Sequence, residues 1–392
     1  MDTSYDFIIA GAGLAGLSLA QHLISSPLRD RSILIVDHDP KVRNDRTWSY
    51  WSDRPTLFDG IACRTWDQLH LAGLSGEMRV NLRRYRYRTI RGSDFYAHVR
   101  RELAQHPNVT WLHGKVDSIE DGDEVARAII NHESVTGRWV FDSIPRPVPI
   151  DDGYHQLKLH FKGWEITTPR SAFDPSAATF LDFRTPHAEQ QRGATRFFYV
   201  LPFDERQALV EYTLFSNMPL LPREYEQALQ TYLCEVLKID AYCLTRQEGG
   251  VIPITDQPYP RRLGGRVMAI GMRGGRIKPS TGFAFMRVQS DSAAIVQSLL
   301  EHDQPFAVPE DSARYRLYDS MLLDIMEREP ERIQSIFAAL FKRNSIEHVL
   351  SFLDERASLR QNIHMFAHLP QAPFLQALVR KGMSRERVVE TA

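Results

Sequence analysis

The chain has 392 residues, 43% hydrophobic and 25% charged, with a formal net charge of −1. That length supports a large core divided over two or three domains. The near-neutral balance excludes bulk attraction to nucleic acid or to an anionic membrane, and Cys63, Cys234 and Cys243 have neither metal nor redox spacing. A reducing compartment without structural disulfides suits that cysteine usage. The nucleotide-type motif begins at once, which leaves no room for a signal peptide, and no run of about 18 apolar residues suggests a spanning helix.

Asp6 to Ala10 reads as a buried parallel strand. Gly11, Gly13 and Gly16 follow with the spacing G-x-G-x-x-G, then a helix with Leu17, Leu19, Ala20 and Leu23 on one side. The spacing gives a tight turn, close approach of a pyrophosphate to the backbone and close packing of helix on sheet. Ile33 to Val36 is the second strand, and Asp37 ends it where an adenosine ribose hydroxyl would be bound. This strand–turn–helix–strand–acid order predicts a dinucleotide site. It does not separate FAD from NAD, although a place at the start of a long chain favours FAD.

After Asp37 comes a polar loop, then the aromatic cluster Trp48, Tyr50 and Trp51, suited either to core anchoring or to a ligand pocket. Arg79 to Arg91 alternates imperfectly between arginines and Val80, Leu82, Tyr85 and Tyr87, as a half-exposed strand does; in a chain that is not basic it predicts no nucleic-acid partner. Ser93 is placed to cap a helix running to about His106. Val109 to Leu112 is a strand, and 117–142 reads as short strands and turns returning to the sheet. Pro145, Pro147 and Pro149 mark a linker.

From His155 the pattern turns to strands: around Leu157 to Phe161, Thr179 to Phe183, Phe197 to Leu201, Ala208 to Leu214 and Val251 to Ile254. They predict an antiparallel sheet that serves as a platform for an apolar ligand, with a helix from Glu224 to Leu237. Arg266 to Gly271 returns to the nucleotide domain, and MRGGRIKPSTG (Met272 to Gly282) leads into a helix from about Phe283 to Leu300. A second helix N-terminus there suits a phosphate or a flavin carbonyl. Beyond Pro309 the periodicity is helical, over Tyr315 to Glu327, Glu331 to Arg343 and Ile346 to Leu353. The expected architecture is α/β: a Rossmann-like nucleotide domain over 1–150 and 260–305, an antiparallel substrate sheet over 151–259 and a helical C-terminal cap over 306–392.

Glu211 is the acid of most interest, set between Val210 and Tyr212 in an apolar strand. A carboxyl in such surroundings is costly to ionise, as a general acid near neutral pH requires. Alternation alone leaves open a solvent-facing acid or one paired to an arginine. Glu248, beside Gly249 and Gly250, fits either close approach to a ligand or a plain turn. The histidines form no H-x-H or H-E-x-x-H spacing, so no metal site is expected, and no G-x-S-x-G elbow supports a serine nucleophile.

Taken together, GAGLAG, NDRTWSYW, YRTIRGSDFY, FKGWEITTPRSAFDP, LVEYT, EGGVIPIT and IGMRGGRIKPSTGFAF, in this order, make the chain resemble the flavin-dependent lycopene cyclases in their bacterial form. The departure is DSIPRP (Asp142 to Pro147), where an acid- or serine-Arg-Pro step is expected. The resemblance implies a two-dinucleotide-binding flavoprotein fold. It implies FAD, active when reduced, with NAD(P)H as electron source. Cofactor contacts would come from Gly11, Gly13, Gly16, Asp37, Arg46, Gly271, Gly274, Pro279, Thr281 and Gly282. The implied reaction is a redox-neutral isomerisation of lycopene through γ-carotene to β-carotene, with Glu211 as the acid–base residue.

A hydrocarbon substrate must come from a bilayer or a partner carotenoid enzyme. The expected location is therefore cytoplasmic, with peripheral contact to a membrane lipid surface. A flavin monooxygenase of the same fold would carry Gly-Asp after the returning strand, whereas this chain has Gly271-Met272. A prenyl-chain reductase would consume reducing equivalents, and a binding protein would lack turnover.

Overall fold

The structure, a computed structural model, describes residues 4–73, 76–185 and 193–390, with 383–390 as backbone alone. Residues 391 and 392 of the expected helical region lie outside the described residues. The chain forms two compact units. The first holds the chain up to Trp48 together with Ile90–Pro149 and Pro258–Asp311; the second holds Ser49–Thr89, Ile150–Gln257 and the chain from Ser312.

The first unit is built on the strand Ser4–Ala10, whose apolar half is fully buried. It pairs in parallel with Ile33–Asp37 on one side and Glu133–Asp142 on the other, and Val109–His113 continues the parallel run beyond Ile33–Asp37. Ala126–Ile130 and Val116–Glu120 add an antiparallel edge, and Val267–Ala269 pairs with Val140–Asp142. Strands buried on both faces need helices on both, which is why their runs are continuously apolar rather than alternating. The helix Leu14–Ile24 packs against Phe285–His302. Gln289 ties the two by donating to Ser18 Oγ at 2.8 Å, and it lies 3.2 Å from the His22 ring.

The second unit carries a seven-stranded sheet in the order Cys243–Thr255, Gln156–Thr167, Gln207–Ser216, Thr195–Pro202, Ala177–Asp182, Gln68–Gly73, Gly76–Asn81. It is mixed rather than purely antiparallel, because Ala177–Asp182 and Gln68–Gly73 run parallel. That hairpin also corrects the expected boundary. Residues 49–89 lie in the second unit: Gln68–Gly73 and Gly76–Asn81 extend its sheet, while Thr47–Ser52, Arg86–Arg91 and Arg64–Trp66 form a separate three-stranded sheet, and none returns to the nucleotide sheet.

One sheet face, with Trp164, Phe198, Val210 and Tyr212, packs on the helix Pro222–Thr231 and the π-helical turn Tyr232–Val236 that follows. The widened turn brings Tyr232 flat onto Phe198, with ring centroids 3.8 Å apart, and its hydroxyl donates to Asp182 at 2.7 Å. The helices Ala313–Arg328, Ile333–Arg343, Ile346–Leu353, Leu359–Ala367 and Gln371–Glu390 belong to this unit too, so they do not form the separate region expected. Buried ion pairs bind them into it. Asp324 accepts from Arg380 within the helices, and His155, at the start of the sheet strand, lies 3.7 Å from Asp324 and 3.2 Å from Asp256.

Two local expectations change. The helix after Arg91 runs from Gly92 to Leu103 with no side-chain cap, because the strand Arg86–Arg91 leads straight into it. The Gly92 N–H goes to the Arg46 carbonyl at 2.7 Å, and Ser93 sits inside the first turn. Glu248 lies within the long strand Cys243–Thr255, not in a turn. Among the described residues no helix is long and apolar enough to cross a membrane.

Candidate active site

The glycine turn of the first unit has the form its spacing requires. Gly11 has φ +100°, in the left-handed region that glycine tolerates. A Cβ on Gly16 would fall 1.9 Å from the Gly11 carbonyl oxygen, so only glycine allows the helix this close to the turn. At Gly13 a Cβ would meet nothing within 4 Å, which leaves open space over the N-terminus of the helix Leu14–Ile24. That terminus has no side-chain cap, so its N–H groups and dipole face the open space, as a bound pyrophosphate requires.

Asp37 has a further task that its position did not reveal. One carboxylate oxygen accepts the Ala12 N–H at 2.7 Å and the other accepts the Asp39 N–H at 2.8 Å. It thereby fastens the glycine turn to the second strand, and a carboxylate retains lone pairs for a ribose hydroxyl. Gly271, Gly274, Pro279, Thr281 and Gly282 gather in the compact loop after Val267–Ala269. In that loop the Gly282 N–H bonds the Lys278 carbonyl at 2.8 Å and the Arg276 N–H bonds the Gly271 carbonyl at 2.8 Å. Arg46 is more exposed, its side chain 57% accessible and 3.5 Å from Asp45. Motif reading missed Asp142 and Arg273: the buried Asp142 carboxylate accepts the Ile144 N–H at 3.0 Å and lies 3.3 Å from Arg273 Nε. These residues suit FAD in shape and donor chemistry.

The second unit has a candidate site of its own on its sheet, on the face opposite the helix Pro222–Thr231. Strand register places Tyr199, Glu211, Gly163 and Glu248 in one row across four strands. The Thr213 hydroxyl donates to Glu211 Oε1 at 2.8 Å, which leaves Oε2 to carry a proton. A Cβ on Gly163 would lie 3.5 Å from Glu211 Oε2 and 3.1 Å from Glu248 Cγ, so the absence of a side chain there opens the space between the two acids. Burial first, then the negative charge of Glu248, push the Glu211 carboxyl up to about 8; the Thr213 hydrogen bond and Arg246 pull against them without offsetting them.

Aromatic side chains sequence reading had not assigned to the site surround this row. Tyr87 and Tyr199 are both raised above the usual phenol range by burial, with Glu211 adding to the effect in each. Phe180 makes edge contacts with Tyr87, Tyr199 and Trp51, at centroid distances of 5.7, 6.1 and 5.9 Å. Tyr87 comes from the arginine-rich strand Arg86–Arg91, where the period-two alternation was its only signal. Trp51, from the aromatic cluster that follows the polar loop, lies in the strand Thr47–Ser52. The arrangement is a carboxyl group that burial favours in its neutral form, on an aromatic-rich surface.

Residues 6–379 match the family described as "Lycopene cyclase protein". The chain belongs to this family. Among relatives of this lycopene cyclase family chain, the lycopene beta-cyclase of Pantoea ananas is 25% identical over 303 residues, covering 72% of each protein. The chloroplastic lycopene beta cyclase of Arabidopsis thaliana is 22% identical over 314 residues, covering 76% of this chain and 60% of that protein. The chain thus spans about 60% of the length of the plant relatives it matches. A geranylgeranyl bacteriochlorophyll reductase-like protein from Thermoplasma acidophilum shares the fold, with TM-score 0.62 at 12% identity over 96% of this chain and 99% of that one.

Proposed function

We propose that the chain is a flavin-dependent lycopene β-cyclase, and the observation that carries this reading is the row of Tyr199, Glu211 and Glu248 across one aromatic-rich sheet face. Family membership supports a carotene as substrate. Glu211 Oε2 delivers its proton to the terminal double bond of the linear carotene. The tertiary cation is attacked by the neighbouring double bond, a six-membered ring closes, and a ring proton leaves. One proton enters and one departs, so no electrons are consumed. Tyr87, Tyr199 and Phe180 keep water from the cation and offer it the negative faces of their rings.

The glycine turn, Asp37 and the Met272–Gly282 loop would hold FAD. Bound and reduced, FAD would supply an electron-rich group able to stabilise positive charge. NAD(P)H as electron source and a cytoplasmic location complete the reading, with peripheral contact to a membrane and handover from other carotenoid enzymes, these last two supported by the insolubility of a long hydrocarbon.

The test is anaerobic. Purified protein with chemically reduced FAD is incubated with lycopene in liposomes, and products are separated and weighed. A cyclic carotene of unchanged mass is expected. A product that gains hydrogens on reduction, or oxygen on admission of air, refutes the cyclase reading.

A further inference from the structure

Glu211 shares its sheet face with a second, differently held carboxylate. Glu248 is 7% exposed and stands across Gly163 from Glu211. Its Oε2 accepts from Arg246 Nη1 at 2.7 Å, while Arg246 Nε donates to Glu165 Oε2 at 2.9 Å. Glu165, itself 5% exposed, also accepts from Gln207 Nε2 at 3.2 Å. Charge-assisted bonds of this geometry gather both carboxyl groups around one guanidinium. Two carboxyl groups thus share one guanidinium beside Glu211, at a place built from strands rather than loops. Two carboxyl groups held differently on one face, Glu211 by a hydroxyl donor and Glu248 by a guanidinium, suit a division of labour between an acid and a base.

We propose that Glu248 is the second catalytic carboxylate of the cyclisation, the one that accepts the departing ring proton, with Arg246 and Glu165 as its positioning residues. The proposal rests on the cyclase reading. Cyclisation adds a proton to one carbon and removes one from another, so a donor and an acceptor in different places serve it better than one group. The Glu211 O–H breaks and a C–H forms at the chain end. The ring C–C bond forms from the neighbouring alkene's electron pair, and positive charge moves to a ring carbon. The adjacent ring C–H then breaks, its electron pair becomes the ring double bond, and its proton joins Glu248. Passage of that proton from Glu248 to Glu211 across the gap at Gly163 restores the starting state. Until it takes that proton, Glu248 faces the cation and lowers its energy.

The test is Glu248→Gln in the full chain, with melting temperature as the control for folding. The first readout needs no turnover: infrared difference titration of the protonated carboxyl, assigned to Glu211 by its loss in Glu211→Gln. Removal of the neighbouring anion moves the Glu211 midpoint toward acid by at least about one pH unit. An unmoved midpoint overturns the pairing.

The second readout is cyclisation, where Glu248→Gln loses at least about 100-fold and Glu248→Asp recovers part of it. Arg246→Lys lowers the rate and shifts the alkaline limb of the pH profile toward alkali, because Arg246 pulls the Glu211 carboxyl down and the weaker contact releases it, a change that a purely structural role would not produce. Wild-type rates in Glu248→Gln overturn the proposal. Wild-type protein that binds lycopene without converting it overturns the cyclase reading instead, and the infrared midpoint separates the two failures.

Discussion

The protonated state of Glu211 is testable without substrate, through Glu211→Gln and its effect on stability. Folding moves this carboxyl from its ordinary value of 4.5 up to about 8. The folded protein therefore binds the proton more tightly than the unfolded chain. The associated stability is fully present below about pH 4.5 and is lost as pH climbs to about 8. Each pH unit inside that window is worth about 1.4 kcal/mol, so wild type should lose on the order of 4 kcal/mol between about pH 5 and about pH 8. Gln keeps the shape and the acceptor for Thr213 but has no proton to lose, and should show none of this slope. At the usual entropy of unfolding per residue, that is a difference of about 5 °C in melting temperature. Calorimetry of both proteins across the window should show wild type losing ground to the variant as pH rises. A gap between the two that does not depend on pH would refute the argument that Glu211 is held as the neutral acid.

Three further outcomes are expected. Gly16→Ala should abolish flavin retention, read as loss of the yellow colour and of bound-flavin absorbance, because its Cβ would lie 1.9 Å from the Gly11 carbonyl oxygen. Gly163→Ala should cost about 1–3 kcal/mol by overpacking and depress cyclisation more than carotene binding, since the methyl meets Glu248 and Leu209 at 3.1 Å; chemical denaturation and product analysis check it. His155 is raised to about 9, burial opposing its charge while Asp256 and Asp324 outweigh that penalty. Its stabilisation is present below about pH 6.5 and lost toward about pH 9, so His155→Gln should flatten the fall of stability across that range in pH-dependent melting.

The nucleotide turn was legible because its chemistry is local: Gly11, Gly13, Gly16 and Asp37 are fixed by spacing alone. The strand around Glu211 was legible from alternation, and the raised affinity for its proton from its apolar neighbours. Glu248 was not. Gly249, Gly250 and Pro253 are turn residues by propensity, yet they lie in a strand. Cys243–Thr255 is at the sheet edge, where a proline that donates no hydrogen bond does no harm. Gly163 likewise looks like a weakness in its strand until register puts it between two acids. The pairing of distant strands decides these matters, and no short stretch encodes it. The same holds for residues 49–89, whose pattern announces strands without announcing which sheet they join.

The order in which the chain visits its two units bears on how the protein is made. The sheet begun by Ser4–Ala10 gains Val267–Ala269 only after the chain has passed through most of the other unit. That unit in turn draws on Ser49–Thr89 and on helices that end the described chain. On the ribosome, neither half is finished until long after its first residues emerge, and apolar strands such as Ile33–Val36 wait for distant partners. Pairing over such separations slows folding and leaves sticky surface exposed meanwhile. A nucleotide-binding fragment cut at Pro149 would lack the Val267–Ala269 strand and the whole loop after it. Expression trials should keep the chain whole, and slower synthesis or added chaperone should raise the soluble yield more than removal of either end.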